Sequence, residues 1–373
     1  MSVPREMQPE AIVSGYVLKA IRESLRLTQE ALAQRLWVDT NTIQAWETNR
    51  RPLTATQVAR LMGLRLRLSS LGATNAMLDA LDSAIRADQI LTYVLTTPLQ
   101  SIEPLDHPFA VWLLPRAVAE MLSWPITGLR PTALDDVLRA RRRGPVAPGP
   151  VLSAVQRTLF FEHFINAAEA SLAVAYPDDV SAVLLRQQAY YQLGWNPDAS
   201  MPDWFQHAQR IDDAAHYVHG WSPRWLAARS LAVALTRCGQ LEPLADFADT
   251  AFVNETCENA DLHYWAYWAG DIQLPVHHKS LDSLIRPQQP WLANRLLRRM
   301  TDNLRASNTC LDLYIRSLSI LLTRPAATLV LGHDRALKAS LQDRVTQLLD
   351  GPPIVSRPAR LHLDRIQSNL KVN

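Results

Sequence analysis

The sequence predicts an all-α protein, with a small N-terminal helical head and a larger helical body. Apolar residues recur at spacings of three and four along most of the chain, and alternating runs are scarce. Only 12 of 373 residues are glycine, with no Asn-Gly pair, so tight hairpin turns are few. The 24 prolines fall between the helical stretches, and the run Arg141–Pro150 (RRRGPVAPGP) breaks both helix and sheet.

The head is read element by element. Val17, Leu18, Ile21 and Leu25 line one face of a first helix. Thr28 offers an N-cap hydroxyl to a second helix, Gln29–Leu36, with Leu32, Ala33 and Leu36 inward. A tight connection at Trp37-Val38 leads to Asp39, the next cap, which opens a third helix from Thr40 to Thr48 with Ile43 and Trp46 inward. Arg50-Arg51-Pro52 ends it, and Thr54 is expected to cap a fourth helix that turns Val58 and Leu61 to the core. Short helices with a three-residue turn between the second and third describe a helix-turn-helix unit.

The remainder divides into a helical connector (69–140), a linker (141–150) and an all-helical sensor or dimerisation domain (151–373), behind a head of residues 1–68. Helix pairs near 222–252, 257–285 and 290–323 suit either an irregular large bundle or an array of hairpins like tetratricopeptide repeats. No clean 34-residue period separates the two.

Charge is distributed unevenly. Residues 1–70 hold ten Lys and Arg against six Asp and Glu, and the other 303 residues are net acidic by two. A basic head on a slightly acidic body suits a protein with one nucleic-acid-binding end. There is no charge-free apolar run long enough to span a membrane, and Met1–Glu10 lacks the character of a secretory signal. Cys238, Cys257 and Cys310 are an odd set without CxxC spacing, which suits reduced thiols in the cytoplasm.

The runs Leu27-Thr28-Gln29-Glu30-Ala31-Leu32-Ala33 and Thr42-Ile43-Gln44-Ala45-Trp46-Glu47, followed by Asn49-Arg50-Arg51-Pro52, resemble the Cro/C1-type repressor family, or XRE family. The likeness spans residues 12–66. It implies that the third helix enters the major groove, with Thr40, Asn41, Thr42, Gln44 and Ala45 toward base edges. Asn41 and Gln44 can each give adenine two hydrogen bonds, and Ala45 can meet a thymine methyl. Gln29 is expected on a phosphate, and Asn49, Arg50 and Arg51 on the backbone. Arg22 and Glu47 occupy positions that pair as a buried salt bridge in phage members of the family. Trp37 departs from the pattern, because the family usually has glycine there; a left-handed backbone would cost a non-glycine residue roughly 1–2 kcal/mol.

In the body, Ala119–Gly128 and His263–Gly270 resemble segments of long actinobacterial XRE-type regulators whose C-terminal halves are all helical. Nine of 11 tryptophans lie beyond residue 100. Tyr264, Trp265 and Trp268 are read either as plain core or as a groove for a small molecule or peptide. His216 and His219, near Asp212 and Asp213, have helical metal-ligand spacing but no recognisable fourth partner, and His277-His278 point apart. Arg139, Arg141, Arg142 and Arg143 are either a solvated linker or a phosphate contact. No phosphate-cradling, nucleophile-elbow or zinc-protease motif is present. No metal, cofactor or enzymatic activity is expected.

The resemblance thus implies a homodimeric regulator, with repression favoured on family grounds. Its partner is double-stranded DNA carrying a pseudo-palindromic operator, with a small-molecule, peptide or protein effector acting through the body. The alternative is a protein-interaction scaffold, or an antitoxin-like partner protein, whose helical body is the main working surface.

Overall fold

A computed structural model describes residues 12–135, 137, 149–174, 179–211, 221–269, 281, 293–352 and 354–372. Arg139, the linker residues 141–148, His216 and His219 with Asp212 and Asp213, and His277-His278 lie outside the described residues. Within them the regular structure is entirely helical. The chain forms two compact units: one of the described residues up to Ile102 together with Arg116–Asn166, the other of Glu103–Pro115 and the described residues from Ala167 onward.

The first unit opens with α1 (Ile12–Ser24), α2 (Gln29–Leu36), α3 (Thr40–Glu47) and α4 (Val58–Ser70). Two starts are fixed by side chains: Thr28 Oγ accepts from Ala31 N at 3.1 Å, and Asp39 Oδ1 accepts from Asn41 N at 2.7 Å. Val17, Leu18, Ile21, Leu32, Ile43, Trp46 and Leu53 are buried between these helices, while Leu25 and Leu36 are half-buried. The first three helices each end near a left-handed residue that is not glycine: Arg26, Trp37 and Asn49, with φ of 57°, 59° and 60°. Gly15 is needed where α1 meets the end of α3, because a Cβ there would lie 2.4 Å from the Trp46 carbonyl oxygen.

The fourth helix departs from the sequence expectation. Leu53–Ala55 forms a separate 3-10 turn, so Thr54 caps nothing, and α4 starts later with Gln57 at its N-cap and no side-chain cap bond. Leu61 is half-buried on the same face as Leu64 and Leu68. Leu64 and Leu68 are buried, whereas Val58 sits in the first turn and is exposed.

Next come α5 (Asn75–Thr96), α6 (Arg116–Thr127) and the N-terminal part of α7 (Ala154–Leu172). Buried Asp88 on α5 accepts from Val13 N at 3.0 Å and Ser14 N at 2.7 Å, satisfying two first-turn amides of α1. Tyr16 meets Trp124 of α6 edge-on at 5.1 Å. Buried His163 on α7 lies edge-on to Tyr93 of α5 at 5.7 Å. This apolar surrounding holds its pKa down, from 6.5 to about 4.

The second unit contains α8 (Val180–Leu193), α9 (Met201–Ile211), α10 (Arg224–Arg237), α11 (Glu242–Thr250), α12 (Glu255–Ala269), α13 (Ala293–Asn303), α14 (Leu311–Leu321), α15 (Pro325–His333), α16 (Arg335–Asp350) and α17 (Arg357–Val372). Its central helices are buried on nearly every side, and their polar residues are tied to neighbours. Gln188 of α8 donates to the carbonyls of Phe109 and Trp112, at 2.7 and 3.1 Å, and accepts from Leu114 N at 2.9 Å. Tyr267 Oη donates to the Leu113 carbonyl at 2.6 Å. Two side chains distant in sequence thereby fix the 109–114 segment within this unit. No single described helix is long and apolar enough to cross a membrane.

Candidate nucleic-acid interface

The first three helices fix the orientation of α3 through one charged cluster. Arg22 on α1 donates from Nε to Glu47 Oε1 at 2.6 Å and from Nη2 to Oε2 at 2.9 Å, and its Nη1 donates to the Leu27 carbonyl at 2.9 Å. Both residues are buried. Burial lowers the Arg22 pKa, but the hydrogen bond and charge of Glu47 outweigh it and hold the group above its ordinary value. Gln29, the first residue of α2, joins the cluster by donating from Nε2 to Glu47 Oε2 at 2.8 Å. Its Nε2 keeps a second hydrogen, so a phosphate contact remains chemically open.

With Ile43, Trp46 and Glu47 turned inward, the 100° step of the helix sets Asn41, Gln44 and Ala45 on the outward arc, with Thr40 and Thr42 at its two edges. Asn41 is exposed; the other four are partly exposed. The five residues predicted from the sequence to face bases therefore share one outward surface. All are uncharged, and their hydroxyls, amides and one methyl match the groups on major-groove base edges.

Cations border the C-terminal end of that surface. Arg50 and Arg51 are exposed. Arg50 Nε donates to Thr48 Oγ1 at 3.3 Å, and Arg51 N donates to the Ala45 carbonyl at 3.1 Å, which ties this segment to α3. Asn49 is placed differently. It is half-buried, its left-handed backbone turns it toward α1, and its Oδ1 lies against Gly15 without a hydrogen-bond partner among the described residues.

Trp37 takes the left-handed conformation that its position demands, with φ 59° and ψ 42°. Its N–H caps α2 by donating to the Ala33 and Gln34 carbonyls. The side chain is 81% exposed, with the Arg67 guanidinium over its ring at 5.4 Å. Burial therefore does little to offset the backbone strain.

Sequence reasoning missed Asp88, which is 75 residues from the amide it accepts from. Its only local sign is an acidic residue on the buried face of a helix, and that does not identify a partner. In the body, Tyr264 and Trp265 are inside the core and Trp268 is half-buried. The guanidinium of buried Arg229 stacks on Tyr264 and Trp265 at 4.4 and 4.5 Å. Trp265 Nε1 donates to Ser317 Oγ at 3.0 Å, and Ser317 donates to Asp261 Oδ2 at 2.5 Å. Burial pushes the Asp261 carboxyl up to about 6, against the pull of Arg229. These rings hold the body's core together.

Residues 18–64 match the family model described as Helix-turn-helix. Comparison with curated proteins and with solved structures returns no match.

Proposed function

Residues 18–64 being a Cro/C1-type helix-turn-helix domain, we propose that this DNA-binding transcription regulator reads a specific operator through α3. Asn41 and Gln44 are its main base readers, assisted by Thr40, Thr42 and Ala45. Arg50, Arg51 and Gln29 hold the phosphate backbone, whereas Asn49, expected there from the sequence, is turned toward α1. The observation that carries this reading is the outward surface of α3, uncharged and rich in hydrogen-bonding groups, with exposed arginines just beyond its C-terminal end. Readers of base edges and holders of phosphate are thus segregated as their two tasks require.

In this reading the protein acts in the cytoplasm as a homodimer on a pseudo-palindromic operator, and as a repressor. The helical body transmits an effector or partner signal to the heads. Tyr264, Trp265 and Trp268 would sense such a ligand only by a rearrangement of the body's core, because two of the three are buried.

The test is selection of bound sequences from a random pool of double-stranded DNA by the full-length chain, at about physiological salt, where non-specific binding is weak. Recovery of an inverted repeat is expected. Failure to enrich any sequence, with a stoichiometric protein partner instead recovered after nuclease treatment, would replace this reading with the scaffold one.

A further inference from the structure

We propose that the second unit binds a small phosphate ester, with its phosphate held between α14 and α17 by Arg316, His362 and Arg365 and its organic part in the cleft that adjoins them. In the regulator reading such a ligand is the effector, a role that rests on that reading; the binding itself does not.

Helix register brings these groups together. Arg316 and Ser319 are three residues apart on α14, and His362 and Arg365 are three apart on α17, so each pair shares a helix face. Ser319 Oγ and His362 Nδ1 meet at 3.3 Å. Ser356 N, just before α17, donates to Asp312 Oδ2 at 3.2 Å. The two helices therefore run in the same direction, and the arginines flank the Ser319–His362 contact about one turn to either side. Ser319 engages Nδ1 and leaves Nε2 of the ring to a ligand.

The positive charge at this point is not paired. Elsewhere in the unit Arg298 pairs with Asp334, Arg324 with Glu255 and Glu258, and Arg344 with Asp302. Arg316 and Arg365 form no salt bridge or hydrogen bond among the described residues, and Arg316 lies over the Phe252 ring at 5.3 Å. Burial, followed by the fields of Arg316 and Arg365, holds the His362 pKa below its ordinary value, against the pull of Asp249 on α11. Two guanidiniums and an imidazole that can gain a proton suit a tetrahedral dianion, whose oxygens accept several charge-assisted hydrogen bonds at once. The chain beyond residue 70 is net acidic by two, which disfavours a long polyanion and leaves room for a single phosphate.

A cleft begins one turn away. Ala245 and Asp312, which line it, precede Asp249 and Arg316 by four residues on the same helix faces. Its volume is about 420 Å³. Buried Leu244 and Leu311 form its floor, and exposed Leu241 and Ile354 its lip. Its charged lining residues are Glu242 and Asp312, both anionic. The charges thus set the direction of the ligand: phosphate at the arginines, apolar end in the cleft.

Titration calorimetry tests the site in the full-length chain carrying Arg50→Gln and Arg51→Gln, which removes two exposed cations of the head that would also take an anion. Inorganic sulfate, whose charge is the same at pH 8 and pH 5.5, probes the phosphate position. Its affinity should rise about fivefold from pH 8 to pH 5.5 as the imidazole gains a proton in the complex, and His362→Gln should remove the rise. Arg316→Gln and Arg365→Gln should each weaken sulfate binding about tenfold. Arg365 is exposed, so its variant stays readable if loss of Arg316 disturbs Phe252. Phenyl phosphate should bind about tenfold more tightly than inorganic phosphate, and Ala245→Phe, which fills the cleft, should abolish that difference without weakening sulfate. The proposal is overturned if the chain with both Arg316→Gln and Arg365→Gln binds sulfate as its parent does. It is equally overturned if affinity is the same at both pH values, or if phenyl phosphate binds no more tightly than phosphate. None of these outcomes involves DNA. A chain that binds phenyl phosphate but selects no DNA sequence would sink the regulator reading and leave the site standing.

Discussion

Arg22 and Glu47 are joined by two hydrogen bonds, of 2.6 and 2.9 Å, between the last turn of the first helix and the last residue of α3. The pair is buried, and Gln29 satisfies Glu47 from a third helix. It therefore fixes α3 against both α1 and α2, and so determines which residues of α3 face outward.

Removing one member should be far worse than removing both. Arg22→Met strands a buried carboxylate and is expected to destabilise the first unit by about 3–5 kcal/mol. Arg22→Met combined with Glu47→Met should cost clearly less than the sum of the single changes. Urea unfolding of the four chains measures this; strict additivity would mean that the pair does not act as one element.

Trp37→Gly should stabilise the chain by about 1 kcal/mol, since glycine adopts the left-handed region without the Cβ penalty and the lost side chain is mostly solvated. The midpoint of urea unfolding would rise. A fall of similar size would show that the Arg67 contact contributes more than the strain costs.

His163 gives the first unit a pH dependence of definite sign. Its pKa is about 4 when folded and 6.5 in the reference state. Between those values the unfolded chain binds a proton that the folded chain does not. The contribution of His163 is thus complete above pH 6.5 and is lost as pH falls toward 4, by roughly 3 kcal/mol. His163→Phe should flatten this part of the stability profile, read by urea unfolding at closely spaced pH values. An unchanged slope would assign it to other groups.

Much of the head was legible from local signals. Thr28 and Asp39 announce their helices because a cap acts within two or three residues of itself. The inward positions of α2 and α3 follow from helical periodicity. Thr54 misled because a cap-like hydroxyl looks the same inside a 3-10 turn as before an α-helix, and Val58 is exposed in the first turn of the helix that starts after it. Asp88 and Gln188 were not legible as anchors, since each bonds backbone more than 70 residues away and no local pattern encodes that pairing. Tyr264 and Trp265 illustrate a different gap. Aromatic spacing on a helix is the same for a core and for a groove, and only packing separates them.

The most direct measurement of the central claim is titration of the parent chain, Asn41→Ala and Arg51→Ala onto the selected operator and onto a scrambled duplex, over a range of salt. Asn41→Ala should weaken operator binding by about 1–3 kcal/mol and leave scrambled-duplex binding unchanged. Arg51→Ala should weaken both and reduce the salt slope by about one. If Asn41→Ala binds both duplexes as the parent chain does, α3 does not read bases in the register described, and the account of this interface is wrong.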